Sequence, residues 1–463
     1  MIRLRLKTFN KNTNHNINLN TMNNEELRDN RREFLKASAL VGAGVMVSGV
    51  AFAGGGAHSA MDDTIKIALI GCGGRGTGAA FQALSTKQNI KLVAMADAFS
   101  DRLESAYKDI KQKFGDKVDV PQERRFVGFD GYKQAIALAD VVLLATPPGF
   151  RPGHFEEAVN QNKHIFMEKP VAVDSPGIRR VLAAAKLAES KKLNVVVGLQ
   201  RRYQNNYREA IKRVQDGMIG EVTGGQVYWN SGGVWVKDRE PNQTEMEYQM
   251  RNWYYFNWLC GDHIVEQHVH NIDIANWIKG VYPVSIQGTG SRAWRTGKQY
   301  GEIYDNHSVE LTYADGAVVH SQCRHFEGID NRVDEGFQGT KGRVHLDAGS
   351  NIGRLVDTKG KPLYNYSAKT NPNPYQTEHD ELFDAIAKGE YKFHDAERGA
   401  NSCLTSIIGR YATYSGKKIS WEQGLAADNN LFPDELSWTA KPKILPDADG
   451  LYPIPTPGKT KVI

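Results

Sequence analysis

The chain has 463 residues, 24% charged, 40% hydrophobic and 10% aromatic, with 45 Gly and 17 Pro; this globular composition excludes a collagen-like, a disordered or a multi-span membrane chain. The formal net charge of +5 is concentrated at the start, where residues 1–53 hold 8 Lys/Arg against 4 Asp/Glu and leave 50 against 49 for the remainder. A near-neutral body carries no electrostatic footprint for nucleic acid, and no such partner is expected.

Residues 1–53 read as a leader and an export signal. Met1–Thr21 is Asn-rich, and a start at Met22 would give a signal of conventional length. Asn30-Arg31-Arg32-Glu33-Phe34-Leu35-Lys36 is a twin-arginine pattern, followed by the uncharged run Ala37–Val50 and by Ala51-Phe52-Ala53, small residues that suit a signal peptidase. That run is too short to anchor in a bilayer, and no Cys follows the cleavage site to carry a lipid. The expectation is a periplasmic or otherwise exported protein that passes the twin-arginine machinery already folded; the competing reading is a short buried helix.

From residue 64 to about 200, short apolar runs alternate with helical stretches. Strands are expected at Ile65–Ile70, Lys91–Asp97, Asp140–Thr146, His164–Glu168 and Asn194–Leu199. Helices are expected at Gly78–Leu84, Ser100–Phe114, Tyr132–Leu138, Gly153–Asn162 and Ser175–Ser190. This spacing implies a parallel sheet covered on both faces. Between the first strand and helix, Gly71-Cys72-Gly73-Gly74-Arg75-Gly76 fits G-x-G-x-x-G, and Asp97 ends the next strand 21 residues past Gly76. In that context the glycines give a tight turn, close approach to a pyrophosphate and close helix–strand packing, while Asp97 receives ribose hydroxyls. The segment is therefore a Rossmann dinucleotide-binding domain. Asp97 favours NAD over NADP, with Arg75 and Arg102 able to temper that preference. Thr146-Pro147-Pro148 ends a strand at the ligand-binding edge.

Residues 201–424 change texture. A helix at Tyr207–Asp216 precedes longer alternating runs, Gly224–Trp229, His307–Tyr313 and Ala317–Arg324, which imply an α+β second domain on a mostly antiparallel or mixed sheet. Late helices at Thr377–Lys388 and Glu397–Tyr414 are expected to pack back on the first domain, and residues 425–463 form a C-terminal extension with a Pro-rich strap, Pro446–Pro457. Cys72, Cys260, Cys323 and Cys403 are scattered without a C-x-x-C pair, which argues against a zinc or thioredoxin-like centre and reads as free, small hydrophobes.

Glu168-Lys169-Pro170 closes the next strand at the same edge. With it, with the glycine motif, Asp97, Thr146-Pro147-Pro148, His154, Gly198-Leu199-Gln200-Arg201-Arg202 and Gly261–Asp273, the chain resembles the Gfo/Idh/MocA family, named for glucose–fructose oxidoreductase and inositol dehydrogenase, over roughly Ile65 to Gly424. The resemblance implies that Lys169 lies between nicotinamide and substrate, and that an acid and a histidine four residues apart on one helix, Glu266 and His270, complete the catalysis. His270 would take the hydroxyl proton, with Glu266 orienting or charge-stabilising it. The family more often has Asp at the Glu266 position. A metal reading of His263, Glu266 and His270 on one helical face is weighed and set aside because Lys169 would oppose a cation, so no metal is assigned.

The aromatic and amide-rich stretch Tyr228–Trp258, with Trp229, Asn230, Trp253 and Tyr255, together with His268, suggests a sugar or polyol substrate. Of Arg201 and Arg202, one is expected to reach the site and the other to form an ion pair. The activity expected is NAD(P)-dependent oxidation at a CH–OH group with a tightly held, internally recycled cofactor in a homo-oligomer. An NAD-dependent glycosidase working through a transient keto-sugar, and a non-catalytic sugar-binding protein, are the alternatives.

Overall fold

The computed structural model describes residues 63–368 and 371–463. The leader, the twin-arginine pattern and the Ala51-Phe52-Ala53 site lie outside the described residues. Six parallel strands, β1 Ile65–Ile70, β2 Ile90–Asp97, β3 Arg125–Val127, β4 Val141–Leu144, β5 His164–Met167 and β6 Val195–Val197, form one sheet in the order β3-β2-β1-β4-β5-β6. Their near-continuous burial reflects helices on both faces: β4 is buried at every position and β1 at all but Lys66. This is the doubly wound Rossmann sheet expected. The first helix, Gly74–Leu84, begins inside the glycine motif rather than at Gly78, because Gly73 is extended and caps it directly.

The second sheet has nine strands: β7 Val222–Ser231, β8 Ser285–Ser291, β9 Asn306–Thr312, β10 Val318–His325, β11 Glu335–Gly339, β12 Gly342–Asp347, β13 Ile352–Asp357, β14 Pro362–Asn365 and β15 Ile419–Ser420. Their order is β14-β13-β12-β11-β7-β10-β9-β8-β15. Only β7 and β10 run parallel; the remaining pairs are antiparallel. Alternation along β10 turns Val319, Ser321, Cys323 and His325 inward. This inner face packs on the helices His263–Glu266, Val269–Lys279 and Ala396–Ser415.

The last elements fold back on the first domain. Leu382 and Phe383, from the helix Pro374–Ala387, join the cluster formed by Ile67, Leu69 and Leu143. The C-terminal extension is a strap of apolar anchors: Trp438 lies 4.9 Å from Phe99 and 4.7 Å from Phe129, and Phe432 meets Phe150 edge-on at 5.4 Å. Tyr452 packs on Phe256 at 5.0 Å, and its hydroxyl donates to Glu245 Oε1 at 2.5 Å. Truncation after Ala427 is expected to uncover Phe99, Phe129 and Phe150 and to cost about 5 kcal/mol. A denaturant-unfolding midpoint and binding of an apolar dye measure this; an unchanged midpoint would mean that the strap contributes nothing to the fold.

Candidate active site

The carboxyl edge of the first sheet assembles the site from consecutive strand ends. After β1, Gly71 has φ +93°, and a Cβ there would sit 2.5 Å from the Thr146 backbone nitrogen; at Gly76 a Cβ would sit 1.9 Å from the Gly71 oxygen. Only glycine fits either position, so the chain turns tightly and the helix seats directly on the strand. After β2, the Asp97 carboxylate accepts the N–H groups of Cys72 at 2.7 Å and Phe99 at 2.9 Å. Burial raises its carboxyl above the ordinary range while these N–H groups pull it down. Cys72 thus acts through its backbone; its thiol is buried.

After β4, Thr146 Oγ1 bonds His154 Nδ1 at 3.1 Å, and burial lowers that imidazole to about 3, which keeps it neutral. Arg151 donates to the carbonyls of Thr146 at 2.6 Å and Glu168 at 3.2 Å, tying two strand ends together. After β5, Glu168 receives the guanidinium of Arg75. Arg75 also donates to Gln82 Oε1 at 2.9 Å and lies over the Tyr375 ring at 5.0 Å. Arg75 and Arg102 both line the cavity on the side of Asp97 and the glycine turn.

The strand ends face the second domain across one cavity of about 650 Å³, which runs from Gly71, Gly73, Gly74 and Asp97 past Thr146, Pro147, Pro148 and His154 to Glu168, Lys169, Glu266 and His270. At its far end the Lys169 ammonium donates to the Glu266 carbonyl at 2.7 Å and to Glu266 Oε1 at 2.9 Å. The His270 ring is buried, stacks on Trp229 at 6.0 Å, and its Nδ1 has no hydrogen-bond partner among the described residues. Burial first, then the charges of Lys169 and Arg201, hold its pKa well below the ordinary histidine value, so the ring is a neutral base at pH 7.

Several sequence expectations need correction. Glu266 and His270 do not share one helix: His263–Glu266 ends, the His268 N–H reaches back to the His263 carbonyl at 3.0 Å in a wide turn, and Val269–Lys279 starts afresh. Glu266 is engaged by Lys169 rather than by His270. His263 leaves this face and bonds Asp262 at 2.8 Å, so His263, Glu266 and His270 form no ligand trio.

Neither Arg201 nor Arg202 lines the cavity. Arg201 pairs with buried Glu335 on β11, and Arg202 forks onto Asp273 of the helix Val269–Lys279 at 2.7 and 2.8 Å, which takes both guanidinium groups away from the cleft. Asn230 bonds Gln322 at 3.0 Å, the Tyr255 hydroxyl donates to the Val234 carbonyl at 3.1 Å, and His268 bonds Ser321 at 2.7 Å; none of these three, nor Trp229, lines the cavity. Trp253 does, joined by Trp235 of the same aromatic stretch, by Gln200 and Gln267 from the motifs singled out in the sequence, and by Lys237, Met250 and Tyr375, which sequence reasoning missed. Lys237, Met250 and Tyr375 stand in no motif and carried no local signal.

The glycine crook, the pinned Asp97 and the continuous cleft fit an extended dinucleotide. A family model described as the oxidoreductase family, NAD-binding Rossmann fold, matches residues 65–199, and a GFO/IDH/MocA C-terminal domain model matches 207–345. An inositol 2-dehydrogenase of Rhizobium meliloti is 28% identical over 334 residues, 70% of this chain and 90% of that protein. A 2,7-anhydro-N-acetylneuraminate hydratase of Escherichia coli is 23% identical over 219 residues, 47% of this chain and 54% of that one. Among solved structures, an aldose–aldose oxidoreductase from Caulobacter crescentus superposes with TM-score 0.60 at 20% identity, covering 77% of this chain and 99% of that one.

Lys169→Met and His270→Ala are each expected to lower kcat by about 10²-fold or more while nucleotide stays bound. Because the folded His270 pKa is depressed, kcat/KM falls only at a pH below the ordinary histidine range, as the ring protonates. Lys169→Met removes a cation that disfavours imidazolium, so NMR titration should show the His270 transition moved upward in that variant. Asp97→Ser is expected to weaken NAD binding about tenfold or more by removing charged acceptors; nucleotide titration by fluorescence measures this.

Proposed function

Because the chain belongs to the GFO/IDH/MocA oxidoreductase family, we propose that it is an NAD-dependent oxidoreductase that acts on a carbinol of a sugar or polyol at the Lys169–Glu266–His270 end of the cleft. The observation that carries this reading is an ammonium and a neutral, buried imidazole at the end of a dinucleotide-shaped cleft. NAD, when bound, supplies a hydride acceptor. His270 receives the hydroxyl proton, and Lys169, held by Glu266, offsets negative charge on the substrate oxygen as that proton leaves. The inositol dehydrogenase relative supports a polyhydroxylated substrate. Trp253 and Trp235, 5.8 Å apart at the cleft, offer apolar faces to ring C–H groups.

The remaining parts of the reading concern the cell. The twin-arginine pattern supports export as a folded protein, to a compartment without an evident soluble NAD pool. A cofactor kept in place and returned to its starting state at the end of each turnover answers that constraint. Arg251, paired with Asp101 at 2.8 and 2.9 Å and set over the Phe99 ring at 3.8 Å, supports retention by closing the second domain over the cleft wall at Phe99. The open face of the second sheet is the surface offered for a homo-oligomer.

A second reading, a glycosidase or lyase that oxidises and re-reduces one sugar, draws on the hydratase relative, whose named reaction has no net redox change. Mass identification of the nucleotide released on denaturing the purified protein, followed by a polyol, sugar and aryl-glycoside panel, separates the readings. Cofactor reduction or oxidation of one substrate coupled to reduction of another is expected; phenol release without either would favour the second reading. Failure to bind NAD(P) or turn over any member would leave only a sugar-binding role.

A further inference from the structure

Between β7 and the helix Glu245–Arg251, residues Val234–Lys237 alternate with the period of an extended chain. Val234 and Val236 pack on the core that holds Tyr255 and Phe256, whereas Trp235 and Lys237 line the cleft. Both ends of this short segment are pinned. The Val234 carbonyl accepts the Tyr255 hydroxyl at 3.1 Å, and the Lys237 N–H donates to Asn252 Oδ1 at 2.9 Å. Asn252 is itself fully buried and donates to the Gln299 carbonyl at 2.8 Å, so the backbone of this wall is set by the interior.

The neighbours of Trp235 place the wall at the reacting end. Its ring meets Trp253 at 5.8 Å and Tyr254 at 6.4 Å. Burial first, and then the charge of Glu266, push the Tyr254 phenol well up, which sets this aromatic group beside the Lys169–Glu266 contact. We propose that Trp235 and Lys237 are specificity-determining residues that select a sugar or polyol bearing a carboxylate, with the carbon skeleton against the Trp235 ring and the acid group on the Lys237 ammonium. This rests on the reading of the Lys169–His270 end as the place where substrate binds.

Charge pairing singles out Lys237. The other cations of the cleft wall are engaged: Arg75 by Glu168, Arg151 by two carbonyls, Lys169 by Glu266, and Arg102, over the Phe99 ring at 6.0 Å, by the charges of Asp97 and Asp101. The Lys237 ammonium has no ion pair, hydrogen bond or ring contact among the described residues. In a concave site with low-dielectric walls, such a charge draws an anion more strongly than it would on open surface. One ammonium balances one negative charge, which fits a carboxylate; a phosphoryl group, with close to two, would call for a second free cation. The remainder of the wall suits a hydroxylated skeleton. Trp235 is 43% exposed although two rings hold it, which leaves apolar surface for C–H groups, and Gln200 keeps Oε1 without a hydrogen-bond partner among the described residues, an acceptor for a hydroxyl.

The test is equilibrium binding to the full chain loaded with NAD, followed by tryptophan fluorescence and calorimetry. D-Glucuronate, D-galacturonate and D-gluconate are set against D-glucose, D-galactose and D-glucitol. At least one acid is expected to bind about tenfold or more tighter than its neutral counterpart. Lys237→Met should reduce that advantage below about twofold, and Trp235→Ala should weaken the acid and its counterpart together by about fivefold or more. The proposal is overturned if no acid binds tighter than its counterpart, if Lys237→Met keeps the whole difference, or if Trp235→Ala binds both as tightly as the wild type. NAD affinity is measured in Lys237→Met as well: loss of nucleotide affinity with the acid preference intact would assign the ammonium to the phosphates of the cofactor and overturn the proposal too. Turnover does not enter this readout. A chain that binds these acids selectively and oxidises none would sink the dehydrogenase reading and leave the selectivity standing.

Discussion

One contact joins the two halves of the site: the Lys169 ammonium, at the end of β5, donates to both the carbonyl and the carboxylate of Glu266, on the segment that runs along the second sheet. Both side chains are almost buried, at 12% and 11% exposure, so solvent screens the pair little and its geometry is specific. The strand end behind it is equally constrained. Arg75 holds the Glu168 carboxylate from below, and Arg151 holds the Glu168 and Thr146 carbonyls from the side. A lysine so fixed cannot drift along the cleft, and the depth at which a substrate oxygen can meet it is set by the fold.

The constraint continues into the second sheet through polar groups that would be liabilities if unpaired. Glu335, on β11, accepts from Tyr207 at 2.7 Å, from Asn271 at 2.6 Å and from Arg201; burial lifts its carboxyl to about 7, and the Arg201 charge opposes that rise. Asp273 takes the fork of Arg202 and the hydroxyl of Ser402 at 2.8 Å. Asn271 and Asp273 follow His270 on the same helix turn, so these bonds hold the helix that carries the ring facing the cleft. Breaking such buried pairs one partner at a time costs several kcal/mol, which makes the orientation of His270 as stable as the fold itself.

The alternating elements of the first domain were legible because their signals are local. Runs of Ile, Val and Leu, glycines at fixed offsets and Asp97 at a strand end all lie within one βαβ unit. The short edge strand β3 is the exception there, and the second sheet was less legible: β14 is a short, largely exposed edge strand and β8 carries glycines where apolar alternation would mark a strand. The wide turn at Gln267-His268 was invisible because Glu266–His270 keeps helical spacing on paper. Arg201 and Arg202 misled for a related reason: a strand end marks the ligand edge, but only the fold shows that the side chains leave it on the far side. Among the aromatics, composition indicated a set and could not say that Tyr255 is held by Arg295 at 2.8 Å while Trp253 borders the cleft.

Sequence spacing fails in a similar way at β9 and β10. A polar pair is legible when one turn or hairpin carries both partners, whereas the buried Asp262 contacts its neighbour His263 and also His307, which arrives from β9 far along the chain. Alternation along β10 turns Ser321 and His325 inward, toward His268 and His263 respectively. A sheet face that alternates polar residues inward has exchanged ordinary apolar packing for directional contacts, and directional contacts define a unique docking of the helix layer where apolar ones tolerate sliding. The benefit falls where tolerance is least affordable, one helical turn from the imidazole that must meet a substrate hydroxyl within hydrogen-bond distance.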